Sequence, residues 1–147
     1  MPEFKQGFYK PINPEKYIDD VANIIYRSSW EYKFMLWCDN NAGVLKWASE
    51  SIIIPYEFLG KKHRYFPDFY IEVKDKDNNI KKYLIEIKPQ KDAIFKKPKI
   101  ITEKNKKRVV EQALTVSKNQ AKWEAAREFC RINNMEFMVL TENELFK

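Results

Sequence analysis

The chain has 147 residues, 44% apolar and 15% aromatic, which suits one compact domain over residues 1–147 and excludes a disordered tail protein. Lysine and arginine number 27 against 21 acids, a balance that permits a polyanionic partner. Only three glycines occur, so neither G-x-G-x-x-G nor G-x-x-x-x-G-K-[S/T] can be assembled, and a glycine-rich phosphate loop of either kind is excluded.

Residues 1–20 carry Pro2, Pro11 and Pro14 and read as an irregular arm with a short turn at Glu15–Asp20. MPEFKQGFYK has no apolar segment, and no run of 18 apolar residues follows, so neither secretion nor membrane spanning is expected. Ile24–Tyr26 reads as extended. A helix is predicted to begin near Ser28, because Ser28 and Glu31 have the S-x-x-E spacing of a capping box. Trp30, Phe34 and Trp37 give it an apolar face, and Asp39, Asn40, Asn41 and Gly43 end it. Three strands are predicted at Val44–Ala48, Ile52–Tyr56 and Tyr65–Val73. The polar turn Lys74–Asn79 joins the third to Ile80–Lys88 as a hairpin.

Pro89–Lys104 shows no periodicity and reads as a long basic loop. Two helices are predicted next, at Asn105–Val116 and Lys118–Asn133, then a strand at Glu136–Leu140. Thr141 and Glu144 repeat the capping spacing before a last short turn. The order implies a mixed α/β domain, a central sheet flanked by helices. Cys38 and Cys130 lack C-x-x-C spacing, so the expectation is two reduced, buried thiols.

Charge is concentrated. Residues 81–108 hold eleven Lys or Arg against three acids, which fits either a solvated loop or a polyanion contact.

The candidate chemistry lies on the hairpin. Alternation places Phe69, Ile71 and Val73 on one face of the third strand and Asp68, Tyr70 and Glu72 on the other. In the partner strand Glu86 and Lys88 share a face, about 7 Å apart at the usual rise. Hairpin geometry brings the start of one strand, Asp68, near the end of the other, Glu86. Two carboxylates on one face can hold Mg²⁺, which keeps several waters and accepts a phosphate oxygen. Each residue also has an ordinary reading. Asp68 can be a turn residue, Glu86 and Lys88 a solvated face, and Glu31 a helix cap. Glu86 sits inside the apolar run YLIEIKP, however, where a carboxylate needs a partner or a metal.

Pro67-Asp68 and, after 17 intervening residues, Glu86-Ile87-Lys88 form the pattern PD…(D/E)xK. With YRSSWE, CDNN, VLKWASE, RYFPDFYI, IEIKPQ, NQAKWEAAREFC and FMVLTE in order, the chain resembles the PD-(D/E)XK nuclease superfamily. Within it, the chain is similar to the head completion nucleases of T4-like phages and to the amino-terminal domain of TnsA-type endonucleases. The resemblance implies a restriction-endonuclease-like fold and metal-dependent cleavage of double-stranded DNA. It implies Mg²⁺ or Mn²⁺ as cofactor, with Asp68, Glu86 and, from the preceding helix, Glu31 as ligands. Lys88 would then act at the attacking water, and Gln90 matches a further polar position in some members. It also implies action in the host cytoplasm or at the virion on a filled capsid, with capsid or portal proteins and a second copy of the chain as candidate partners. A non-catalytic head-assembly or DNA-binding protein and a junction-resolving nuclease are the alternatives.

Lys91, Lys96, Lys97, Lys99, Lys104, Lys106, Lys107 and Arg108 follow the ExK strand and are expected to grip phosphates beside the cut. Trp47 and Trp123 read as packing residues, and Glu50 and Glu72 as acidic neighbours of the site. Lys122 reads as a surface helix lysine, and His63, in GKKHR, as added positive charge beside a strand.

Overall fold

A computed structural model describes residues 6–145. Its centre is a four-stranded sheet in the order β3-β6-β7-β8, formed by Val44–Ser49, Phe69–Lys74, Ile80–Ile87 and Glu136–Leu140. The first three strands run antiparallel, and β8 lies parallel to β7. A short pair, β1 (Gly7–Phe8) with β2 (Ile25–Tyr26), and a separate hairpin, β4 (Ile54–Phe58) with β5 (Lys61–Tyr65), complete the strands of the described residues.

Alternation along the strands sends two sets of side chains to two cores. Phe69, Ile71, Ile85 and Ile87 pack with Trp30, Phe34, Met35 and Cys38 of α1, Ser29–Asn40. Leu84 points the other way, to Trp123, Ala126 and Cys130 of α3, Lys106–Ile132, and to Ile54, Tyr56 and Tyr65 of the β4–β5 hairpin. Both cysteines are free and buried, as expected. The sheet is therefore covered by a helix on each face, the mixed α/β class read from the sequence.

The capping reading at α1 holds in modified form. Ser28 Oγ accepts the Glu31 N–H at 3.2 Å, while Glu31 Oε1 accepts from the Arg27 N–H, one residue before the cap, also at 3.2 Å. At the other end, Thr141 Oγ1 accepts the Asn143 N–H ahead of α4, Glu142–Leu145, and Glu144 Oε1 accepts the Thr141 N–H.

Three expectations are corrected. Tyr65–Val73 is not one strand: β5 ends at Tyr65, the chain bends through Phe66, Pro67 and Asp68, and β6 starts at Phe69. Pro67 has no N–H to give to a ladder, so the break falls at the residue that cannot pair. The two helices predicted at 105–116 and 118–133 are one 27-residue helix, because Ser117-Lys118 contains neither Gly nor Pro to interrupt it. Residues 6–20 of the arm are tied down. Asp39, 1% exposed, accepts from Tyr9 Oη at 2.5 Å and from the Ile12 and Asn13 N–H groups at 2.7 and 2.9 Å, and Tyr9 and Tyr17 join the core. Residues 1–5 of the predicted arm lie outside the described residues.

The 89–104 loop is also more ordered than its sequence suggests. Gln90–Ala93 forms a single helical turn, α2, docked on α3 by Asn119 Nδ2 donating to the Asp92 carbonyl at 3.0 Å.

Candidate active site

β6 and β7 pair from Lys74 with Ile80 to Phe69 with Ile85. One step further, where the chain enters β6, Asp68 meets Glu86. The Asp68 carboxylate closes the end of the ladder, its Oδ2 accepting the Ile87 N–H at 2.7 Å. On the far side the Asp68 carbonyl accepts the Glu50 N–H at 3.0 Å, which ties the same residue to the end of β3. Asp68 is half-buried, yet its carboxyl is pushed well above the usual carboxylate range, first by burial and then by the charges of Glu86 and Glu31.

Glu86 is 5% exposed and sits on the α3 side of the sheet between Leu84 and Lys88. Its Oε1 accepts from Tyr65 Oη at 2.7 Å, and its Oε2 lies 3.7 Å from Lys88 Nζ. Burial raises the Glu86 carboxyl, and Tyr65, Lys88 and Lys122 oppose that rise. Glu31, in the first turn of α1, is raised by its own burial and by the charges of Glu50 and Glu86. Three carboxylates thus share one region, and the charge of Glu86 makes both Asp68 and Glu31 costlier to ionise.

The structure brings Asp68, Glu86 and Lys88 together and places Glu31 within electrostatic reach. It does not gather a finished cage: among the described residues no three His, Cys, Asp or Glu side chains are grouped to hold a metal ion. A pair of carboxylates in mutual repulsion still fits a hard divalent cation of the Mg²⁺ type, whose shell is completed by water and phosphate oxygens. Glu50 is engaged elsewhere, in an ion pair with Arg27 at 3.0 Å, and Glu72 accepts from Tyr70 Oη at 2.8 Å.

Two residues belong to this site that the sequence reading did not assign to it. Tyr65 holds Glu86, as described. Lys122, on α3, points inward: its Nζ lies 5.7 Å from the Tyr65 ring centroid, and its ammonium pKa is lowered by burial and by the positive charge of Lys88. Its neighbours on the helix, Asn119, Trp123 and Ala126, are buried, so the helix face that carries Lys122 is the face packed on the sheet. That neighbourhood, one position from a buried tryptophan, was the available signal.

The basic segment stays on the surface. Lys91 on α2, Lys96, Lys97, Lys99 and Lys104 in the loop, and Lys106, Lys107 and Arg108 in the first turn of α3 are all exposed. Gln90 donates its N–H to Glu142 Oε1 at 2.8 Å, a contact that anchors α2 beside α4.

Residues 41–142 match the family described as TnsA-like endonuclease N terminal. The chain is also 39% identical, over 142 residues, to the head completion nuclease of Enterobacteria phage T4. That alignment covers 95% of this chain and 92% of the phage protein. The family match spans Asp68, Glu86 and Lys88 and starts after Glu31. With it, the mixed sheet between two helical layers reads as a restriction-endonuclease-like fold.

Proposed function

The chain belongs to the TnsA-like endonuclease N-terminal family, and on that premise we propose that it is a metal-dependent DNA endonuclease acting in phage head completion. The observation that carries the reading is the Asp68–Glu86 pair at the end of the β6–β7 ladder, with Lys88 Nζ 3.7 Å from Glu86.

Asp68 and Glu86, with Glu31 as third carboxylate, would hold Mg²⁺ or Mn²⁺. The chemistry such an ion would supply there is activation of a water as nucleophile and neutralisation of charge on the scissile phosphate. The chain's own groups do the rest. Tyr65 fixes one oxygen of Glu86 and so orients the other. Lys88 would orient the attacking water or offset the negative charge that builds as it attacks phosphorus in line. Lys122 adds a second ammonium on the α3 side of the same carboxylate.

Substrate binding follows from charge. The exposed cations from Lys91 to Arg108 leave the sheet at the same end as Lys88 and suit the phosphates of a duplex, which position it without reading its sequence. Lys106, Lys107 and Arg108 occupy the first turn of α3, where the helix dipole disfavours cations and an anion would relieve them. No helix of the described residues is long and apolar enough to cross a membrane. The proposed setting is the host cytoplasm or the virion, on a filled head, with capsid or portal proteins as neighbours and a homodimer as a candidate assembly.

The test is nicking of supercoiled plasmid with Mg²⁺, with Mn²⁺ and with chelator. Metal-dependent nicks that chelator abolishes are expected. Absence of cutting under every condition would leave a non-catalytic head-assembly or DNA-binding role. Faster cutting of branched than of linear duplex would identify a junction-resolving nuclease on the same fold.

A further inference from the structure

Between Ile53 and Asp68 the chain builds a ribbon that the central sheet does not need. β4 and β5 pair with each other and, among the described strands, with no other. The inner face of the ribbon is fixed: Ile54, Tyr56 and Tyr65 are buried with Trp123 and Ala126 of α3, and Tyr56 stacks on His63 at 5.2 Å. The outer face is free of the fold. There Pro55 stands opposite Arg64 and Glu57 opposite Lys62, all four exposed. At the tip Leu59 and Gly60 make the turn with positive φ, Leu59 is 75% exposed, and Lys61 is exposed beside it. The Arg64 guanidinium lies 6.0 Å from the ring centroid of Phe66, a half-open aromatic on the same side.

Three cations thus face solvent against one acid, Lys62 and Arg64 on the outer face and Lys61 at the tip, on a two-stranded element whose inner face packs on α3. Its base is the candidate active site itself, through Tyr65 on Glu86 and, three residues on, Asp68. From Lys61 to Tyr65 the strand reaches about 14 Å, enough to cross a major groove about 12 Å wide that admits a two-stranded ribbon. A protein partner would favour a broad apolar face; here the apolar surface is a single leucine at the tip and residues at the base.

We infer that the β4–β5 ribbon is a second DNA-holding arm, which enters a groove of the duplex beside the cut with Lys61, Lys62 and Arg64 on its phosphates and Leu59 foremost. The inference rests on the endonuclease reading. It adds a contact from the segment that precedes Asp68 in the chain to the one from Lys91–Arg108, which follows Lys88.

Two measurements test it on the full chain. The triple variant Lys61→Gln, Lys62→Gln, Arg64→Gln is titrated with a 20-base-pair duplex by fluorescence anisotropy, without metal, across a salt series. Wild-type melting temperature and a salt slope flattened by roughly 2 to 3 units are expected. Independently, Leu59→Cys carrying a photo-crosslinker should capture duplex DNA, and Asp77→Cys, in the turn at the far end of β6 and β7, should not. A triple variant with unchanged slope, or equal capture from both positions, overturns the ribbon's role while wild-type binding leaves the endonuclease reading in place. Loss of binding to a capsid protein with DNA binding intact overturns it in favour of a protein contact. A wild-type chain that neither binds nor nicks the duplex removes both readings together.

Discussion

Tyr65 Oη donates to Glu86 Oε1 at 2.7 Å, so the last residue of a peripheral hairpin fixes the orientation of a carboxylate in the central sheet. Both groups are buried, and the bond satisfies Glu86 Oε1 while Oε2 faces Lys88 Nζ at 3.7 Å. Tyr65→Phe removes one oxygen and keeps the ring that packs on α3. Metal affinity should fall by about 10- to 100-fold, read by Mn²⁺ titration, with cleavage restored at high Mg²⁺. Unaltered metal affinity would show that Tyr65 only packs.

Two aspartates should titrate with opposite effects on stability. Asp68 has a folded-state pKa above its unfolded value near 4, so its ionised form weighs against folding. In metal-free protein that cost is fully present above the raised pKa and vanishes as pH falls below the unfolded one. Asp68→Asn, which keeps an acceptor for the Ile87 N–H, should therefore melt higher than wild type at neutral pH and converge with it near pH 4. Asp39 is the reverse. Burial would raise it, but the donors from Tyr9, Ile12 and Asn13 hold it below the usual carboxylate range. Its stabilisation is present above the unfolded pKa and is lost as pH falls through the folded one. Asp39→Asn should cost about 2 kcal/mol or more at neutral pH and less in acid. Melting curves of both variants from about pH 2 to 8, a window that spans the acid side of the unfolded aspartate pKa near 4, decide the signs.

Glu31→Gln separates a cap from a ligand. Gln retains an oxygen for the Arg27 N–H, and Ser28 continues to accept the residue 31 N–H, so the melting temperature should hold. Cleavage should drop at least about tenfold if the side chain holds metal. Full activity in the variant would assign Glu31 to the helix cap alone.

Lys122→Met tests the helix side of the site. Without that ammonium, Glu86 and Asp68 lose a favourable charge, so the acid limb of the cleavage profile should move to higher pH. Single-turnover cleavage at neutral pH should fall by up to about 100-fold, and Lys122→Arg should recover most of it. A melting-temperature loss with an unmoved pH profile would mark Lys122 as packing.

What the sequence disclosed, and what it concealed, follows from the range of the interactions involved. Asp68, Glu86 and Lys88 were legible because strand alternation is local, and the YLIEIKP run marks Glu86 as a buried acid before any fold is known. The cap at Ser28 and the strand Glu136–Leu140 were legible for the same reason. The β4–β5 hairpin was concealed because Arg64–Ile71 reads as one aromatic run, and its break needs Pro67 to be weighed as a ladder defect. The docking of the arm depends on Asp39, distant in sequence from Tyr9, Ile12 and Asn13, and nothing local in either segment announces that bond. Lys122 was missed because a helical lysine beside an apolar stripe is ordinarily a surface residue.

The most direct test of the account is Mn²⁺ titrated calorimetrically into wild-type, Asp68→Asn and Glu86→Gln protein, with Mg²⁺-dependent duplex cleavage measured on the same samples. Metal binding and cutting are expected in wild type, with loss of both in either variant while the fold persists. A variant that still cuts the duplex at the wild-type rate would contradict it.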